Sequence, residues 1–142
     1  MAAVSSTPKQ IIRRYLKAMT HGKPGDLTKL IAPDIVARQG ADRVQGAAAA
    51  EAYAAYYRQA FAGWAFEIER MIAEGAWVAV SGHSVGTVNM ALDGAVKAGT
   101  PVRVPWMAHY RVVRGRVAEV YIILDAAPLA VGGERVKVAL AP

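Results

Sequence analysis

The chain has 142 residues, of which 54% are hydrophobic and 20% charged, with a formal charge of +6 and no cysteine. This length favours a single domain, and so much apolar content beside so little charge argues against a disordered chain. The absence of cysteine excludes a disulfide framework, a thiolate metal site, an iron–sulfur cluster and a cysteine nucleophile.

Thr7-Pro8-Lys9-Gln10 is a helix start: Thr7 caps, Pro8 suits the first helical position and Gln10 completes a capping box. Ile11, Ile12, Tyr15, Leu16 and Met19 then recur at helical spacing, and His21-Gly22 ends the helix. Pro24-Gly25-Asp26 restarts the chain into a short second helix with Leu27, Leu30 and Ile31 inward, stopped by Pro33. Ile35–Arg38 reads as a short extended piece and Gln39–Gly46 as a polar loop. Ala47–Phe61 is a third, alanine-rich helix, on which Tyr53, Tyr57 and Phe61 share a face.

After Gly63 the period changes. Trp64–Ile72 alternates apolar and charged residues, as a half-buried strand does. Gly75 turns the chain into a second strand, Trp77–Met90, and a loop from Asp93-Gly94 to Ala98-Gly99 leads to a third, Pro101–Val113. Arg114-Gly115 is a tight hairpin turn into a fourth strand, Arg116–Leu124, and Asp125 begins a terminal turn. Helices first and strands second predict an α+β fold. The expected form is a cone: three N-terminal helices packed on a curved, mainly antiparallel sheet that encloses a hydrophobic cavity. One domain over 1–142 is expected, with its core at about 8–130 and a tail over 131–142.

No apolar run approaches the about 18 residues of a spanning helix, and Val120–Leu124 is cut by Asp125. The first ten residues lack the pattern of a signal peptide. A cytoplasmic protein without a membrane partner is the expectation. The basic residues are scattered, and the densest group, Arg111 to Arg116, straddles a turn, so nucleic acid is not the expected partner. No histidine and acid stand at metal-ligand spacing, so no metal is expected.

The most specific stretch runs from Gly86-Thr87 through Gly94, Gly99 and Tyr110-Arg111-Val112 to Arg114-Gly115-Arg116-Val117-Ala118-Glu119 and Asp125. In these residues and in element order, Gln10 to Leu129 resembles the SnoaL-like polyketide cyclases of the nuclear-transport-factor-2-like superfamily, relatives of ketosteroid isomerase and limonene epoxide hydrolase. The resemblance implies a cofactor-independent enzyme acting on a small hydrophobic, polyketide-like substrate, in a fold that commonly forms homodimers. The family's usual acids are missing: Val88 stands in place of a histidine, Ala108 where an acid often precedes the aromatic-Arg pair, and Ile122 where the last strand often carries one. Arg38 and Gln39 occupy the loop in which relatives place a histidine or an acid.

The candidate catalytic groups are therefore Tyr15, Arg38, Gln39, Asp125 and His109. By the resemblance, Tyr15 would hydrogen-bond a developing enolate oxygen, Arg38 or Gln39 would help polarise a carbonyl, and Asp125 is the best acid by motif. Strand alternation puts Trp106, Ala108 and Tyr110 on one face and His109 on the other; His83 likewise opposes Val80 and Ser84. The expected substrate-binding residues are Tyr57, Phe61, Trp64, Val80, Ser84, Val88, Met90, Trp106, Ala108, Tyr110 and Ile122. Such a greasy lining suits a flat or polycyclic ligand. The alternatives are a non-catalytic binding protein for a small hydrophobic ligand, and an epoxide hydrolase or epoxide-opening cyclase, which needs an inward acid.

Overall fold

The structure, a computed structural model, describes residues 6–89 and 97–125. Helix α1 (Pro8–His21) begins as its sequence dictates: the Gln10 amide donates to Thr7 Oγ1 at 3.2 Å, and the Thr7 amide donates to Gln10 Oε1 at 2.9 Å. Its apolar stripe is buried, with Ile12 wholly so. Truncating Ile12 to alanine would cost about 2–5 kcal/mol.

The second helix is only a four-residue 3-10 turn, Leu27–Leu30. The chain is already extended at Ile31, so Pro33 lies within strand β1 (Ile31–Gln39) instead of ending a helix. The segment expected as a polar loop contains strand β2 (Asp42–Gln45), folded back on β1. Three helices thus become two α-helices and one turn. Polar content did not prevent pairing, because β2 needs only its backbone groups and one half-covered face.

Helix α2 (Ala47–Ala60) presents Ala50, Ala54, Tyr57 and Ala60 to the core. Its Arg58 donates from Nη1 to the carbonyls of Ala18 (3.1 Å) and Met19 (3.2 Å), placing a cation at the C-terminal end of α1, where the Gly22 amide also donates to the Ala18 carbonyl. Strands β3 (Phe61–Glu74), β4 (Trp77–Val88), β5 (Pro101–Val113) and β6 (Arg116–Leu124) form the expected meander.

The sheet has six strands in the order β2-β1-β6-β5-β4-β3; β1 runs parallel to β6 and every other pair is antiparallel. It is an open, mixed, curved sheet with α1 and α2 against its inner face. Arg114 and Gly115, both at positive φ, make the β5–β6 turn, in keeping with the twist of a two-residue hairpin.

Register decides which side chains meet. One inward row runs Met71, Val80, Ala108, Ile122 and Gln39 across five strands. The next runs Ile68, Gly82, Trp106 and Leu124. The residues that alternate with these along the strands make outward rows of their own: Ile72, Ala79, His109, Tyr121, Arg38, and Arg70, Ser81, Met107, Ile123. A bulge between Ile68 and Arg70 shifts the phase of β3, turning Met71 toward the core and leaving Ile72 59% exposed.

Among the described residues, no helix is long and apolar enough to cross a membrane.

Candidate functional site

Between the helices and the inner sheet face lies a cavity of about 60 Å³. Met19 and Tyr15 come to it from α1, Tyr53 and Tyr57 from α2, and Phe61, Trp64 and Phe66 from β3. Ser84, Val104, Trp106, Tyr110, Ile122 and Leu124 complete it from the other strands. A lobe of about 20 Å³ adjoins it toward β1 and shares Tyr15, Met19, Tyr53 and Ile122.

Aromatic rings make the wall continuous. Tyr57 approaches Trp64 at 5.7 Å, Trp64 approaches Phe66 at 5.3 Å, and Phe66 meets Trp106 edge-on at 5.2 Å. Tyr15 and Tyr110 are edge-to-face at 5.6 Å. These separations lie in the range of favourable aromatic pairs.

The polar groups are neutral. Tyr57 hydrogen-bonds to Tyr53, whose hydroxyl donates to Gln39 Oε1 at 3.3 Å. Gln39 is the buried polar residue of the core, at 8% exposure. Burial pushes the hydroxyls of Tyr15, Tyr53, Tyr57 and Tyr110 well above the ordinary phenol value, and their mutual proximity adds to the effect at Tyr53, Tyr57 and Tyr110. All four therefore act as un-ionised phenols. The two indoles differ: Trp64 Nε1 donates to Ser84 Oγ at 2.8 Å, whereas the buried Nε1 of Trp106 has no acceptor among the described residues. An unsatisfied buried donor costs about 1–3 kcal/mol.

Of the candidate catalytic residues, Tyr15 lines the cavity and Gln39 reaches it through Tyr53. The other three lie elsewhere. Arg38, next to Gln39 on a strand, faces the opposite way and stacks its guanidinium 4.7 Å above the Tyr121 ring. His109 stands on the outer sheet face between Trp77 (5.3 Å) and Tyr121 (5.4 Å). Asp125 is exposed and borders an outer hollow with His83 and Met107, while its amide extends the ladder to the Pro105 carbonyl at 2.9 Å. His83 also lies outward, accepting from Arg103, which pairs with Glu67.

Among the expected binding residues, Tyr57, Phe61, Trp64, Ser84, Trp106, Tyr110 and Ile122 line the cavity. Val80, Val88 and Ala108 are buried but are not among its lining residues, and Met90 falls outside the described residues. Met19, Tyr53, Phe66, Val104 and Leu124 also line the cavity and are not among the residues expected there from sequence. The signals were present: Tyr53 precedes Tyr57 by one helical turn, Phe66 alternates with Trp64, and Val104 and Leu124 continue the phases of Trp106 and Ile122.

No carboxylate, imidazole or lysine is among the described lining residues, nor do the described residues contain a group of three or more histidines and acids able to hold a metal. The arrangement can hold an apolar body and donate hydrogen bonds to an oxygen on it. A larger hollow of about 490 Å³ lies open on the outer face around Ile72, Met107, His109 and Ile123. Being open, this hollow does not exclude water as an enclosed reaction site does.

The profile of the SnoaL-like domain matches residues 12–120. Among solved structures, the chain is similar to a proposed polyketide cyclase from Acidithiobacillus ferrooxidans, at 20% identity and TM-score 0.76 over 90% of this chain and 94% of that one. It is similar to IdmH, a proposed polyketide cyclase from Streptomyces antibioticus, at 23% identity and TM-score 0.71 over 87% and 96%. A Catenulispora acidiphila protein with a ketosteroid isomerase-like fold, solved with trimethylamine, aligns at 18% identity and TM-score 0.72 over 87% and 91%. These likenesses establish the fold. No curated protein matches the chain.

Proposed function

The chain belongs to the SnoaL-like domain family, and we propose that it is a cofactor-independent cyclase or isomerase that folds a hydrophobic, polyketide-like intermediate and polarises one of its carbonyls. The observation that carries this reading is the Tyr15 hydroxyl: a neutral donor in an aromatic cavity, its pKa raised by burial alone. A preorganised donor in an apolar site stabilises a developing oxyanion far more than it would in water.

Tyr15 donates to the carbonyl oxygen while the aromatic walls hold the chain in a near-attack conformer. In an intramolecular aldol step, an enol carbon of the substrate attacks that carbonyl carbon, and the enol proton ends on the new alkoxide. The Tyr57–Tyr53–Gln39 chain occupies the neighbouring hydroxyls with one another, and the Tyr15 ring packs edge-to-face on Tyr110.

A drug-sized ligand needs about 300–1,000 Å³, far above the cavity's 60 Å³, so a multi-ring substrate enters only by displacing wall side chains. Phe66, half-buried, also borders a hollow with Arg13, Lys17 and His21 between α1 and β3. Swinging it aside joins cavity and hollow, and we assign the entrance there.

The test is 2,6-heptanedione, whose intramolecular aldol condensation yields an absorbing enone. Wild type should exceed the buffer rate, and Tyr15→Phe should lose about tenfold to a hundredfold in kcat/KM. Binding without turnover would favour a carrier, the second reading, which the lack of a carboxylate or imidazole among the described lining residues supports. Epoxide opening has no inward acid to carry it among those residues. We further propose that the outer face, with Ile72, Met107 and Ile123 exposed, packs against a second copy of the chain.

A further inference from the structure

We propose that the indole N–H of Trp106 is the hydrogen-bond donor by which the cavity selects a ligand carrying an oxygen acceptor on a flat apolar frame. The inference rests on the cavity being the binding site assigned above, and it does not require turnover.

Two tryptophans line the same cavity, and each serves as the other's control. The N–H of Trp64 is satisfied within the protein by Ser84 Oγ at 2.8 Å. Trp106 is 5% exposed, and its N–H has no acceptor among the described residues. Its row explains why. Gly82 beside it on β4 has no side chain, Leu124 beside it on β6 is apolar, and Phe66 presents an aromatic ring at 5.2 Å. None offers an acceptor side chain.

Buried donors are nearly always paired, so an unpaired one in a cavity wall points to a group that arrives from outside. The acceptor that fits is a neutral carbonyl oxygen, since burial here disfavours an ionised one. A ligand amine or hydroxyl hydrogen would meet a donor, and a pure hydrocarbon would leave the N–H unsatisfied. The aromatic walls require that oxygen to sit on a planar, largely apolar body. Trp106 reaches the cavity from β5 and Tyr15 from α1, so its two donors come from different walls.

The experiment compares 1-tetralone with tetralin, the same bicyclic frame with and without a ketone, using the ¹⁵N-labelled 142-residue chain. Its three tryptophans give three indole resonances, assigned from the Trp106→Phe and Trp64→Phe spectra. The expected result has three parts. Tetralone moves the Trp106 resonance downfield and tetralin does not. Wild type binds tetralone about tenfold more tightly than tetralin. Trp106→Phe loses that preference but keeps its affinity for tetralin.

If the preference survives Trp106→Phe and disappears in Tyr15→Phe, Tyr15 is the donor; the inference fails and the proposed function stands. If the Trp106 resonance is exchange-protected in the free protein and unmoved by tetralone, the chain supplies its own acceptor, and the inference again fails alone. If neither probe binds, the inference and the cavity reading fall together. Should Trp106→Phe not fold, the Trp64→Phe and Trp77→Phe spectra assign the Trp106 resonance by elimination, and its shift remains decisive.

Discussion

Trp64 donates its indole hydrogen to Ser84 Oγ at 2.8 Å, tying β3 to β4 across the wall of the cavity. The two residues are 20 apart in sequence and one strand apart in space. The bond fixes the orientation of an indole that Tyr57 and Phe66 flank, so the shape of the aromatic wall depends on one serine hydroxyl.

Ser84→Ala should therefore destabilise the protein by about 1–3 kcal/mol, because it leaves the Trp64 N–H buried and unpaired. In a Trp64→Phe background the same change should cost much less. Urea midpoints of the two single variants and the double variant measure the coupling, and purely additive effects would remove the hydrogen bond from this account.

Alkaline pH should unfold the protein cooperatively. The phenols of Tyr15, Tyr53, Tyr57 and Tyr110 sit above the reference value of 10.0 in the folded state. Below pH 10 both folded and unfolded chains keep these protons, and stability is unaffected by them. As pH rises beyond that, the unfolded chain releases protons that the folded chain retains, and stability falls by about 1.4 kcal/mol per pH unit per phenol. Chemical denaturation from pH 8 to 11.5 should show a slope that shallows in Tyr15→Phe. Tyr15 ionising, by absorbance difference against that variant, while near-ultraviolet dichroism stays native would contradict it.

Gly82→Ala should be among the costliest single-methyl additions. A Cβ there would lie 2.0 Å from the Glu67 carbonyl oxygen and 3.2 Å from the Glu69 amide, beside the β3 bulge. Backbone on a paired strand cannot yield as a flexible side chain can, so a loss of about 3 kcal/mol or failure to fold is expected. Thermal unfolding against Ser81→Ala, one residue away and outward, isolates the effect; equal midpoints would mean that the strands separate easily.

Met107→Glu tests the proposed pairing of outer faces. Met107 is 65% exposed, with Ile123 as its partner on β6 and Ile72 on the adjoining row. A carboxylate there should turn a dimer into a monomer in sedimentation velocity and leave the monomer's fold intact by circular dichroism. A wild type that sediments as a monomer at tens of micromolar would refute the pairing.

Much of the site was legible in the sequence. Helical spacing put Tyr15 and Tyr57 on buried faces, and strand alternation put Trp106 and Tyr110 together and His109 opposite. Both periods are local geometry, and they survive folding because each element keeps its own axis. The same rule makes neighbours Arg38 and Gln39 face opposite ways once both lie in one strand. The sequence pattern predicts a loop from Gln39 onward, and parity applies to the pair only because β1 runs on through Gln39.

Local patterning suffices for the α+β class, the capped first helix, the meander and the faces of its central strands. The other features arise from long-range pairing. Parallel pairing of β1 with β6 brought Gln39 beside Ile122, and a bulge in β3 reversed its phase after Ile68. Register across three strands set Trp106 between Gly82 and Leu124, without an acceptor side chain on either. The reason is physical: which side chains meet, and how much space they leave, depends on pairings between residues far apart in the chain, to which no local period has access.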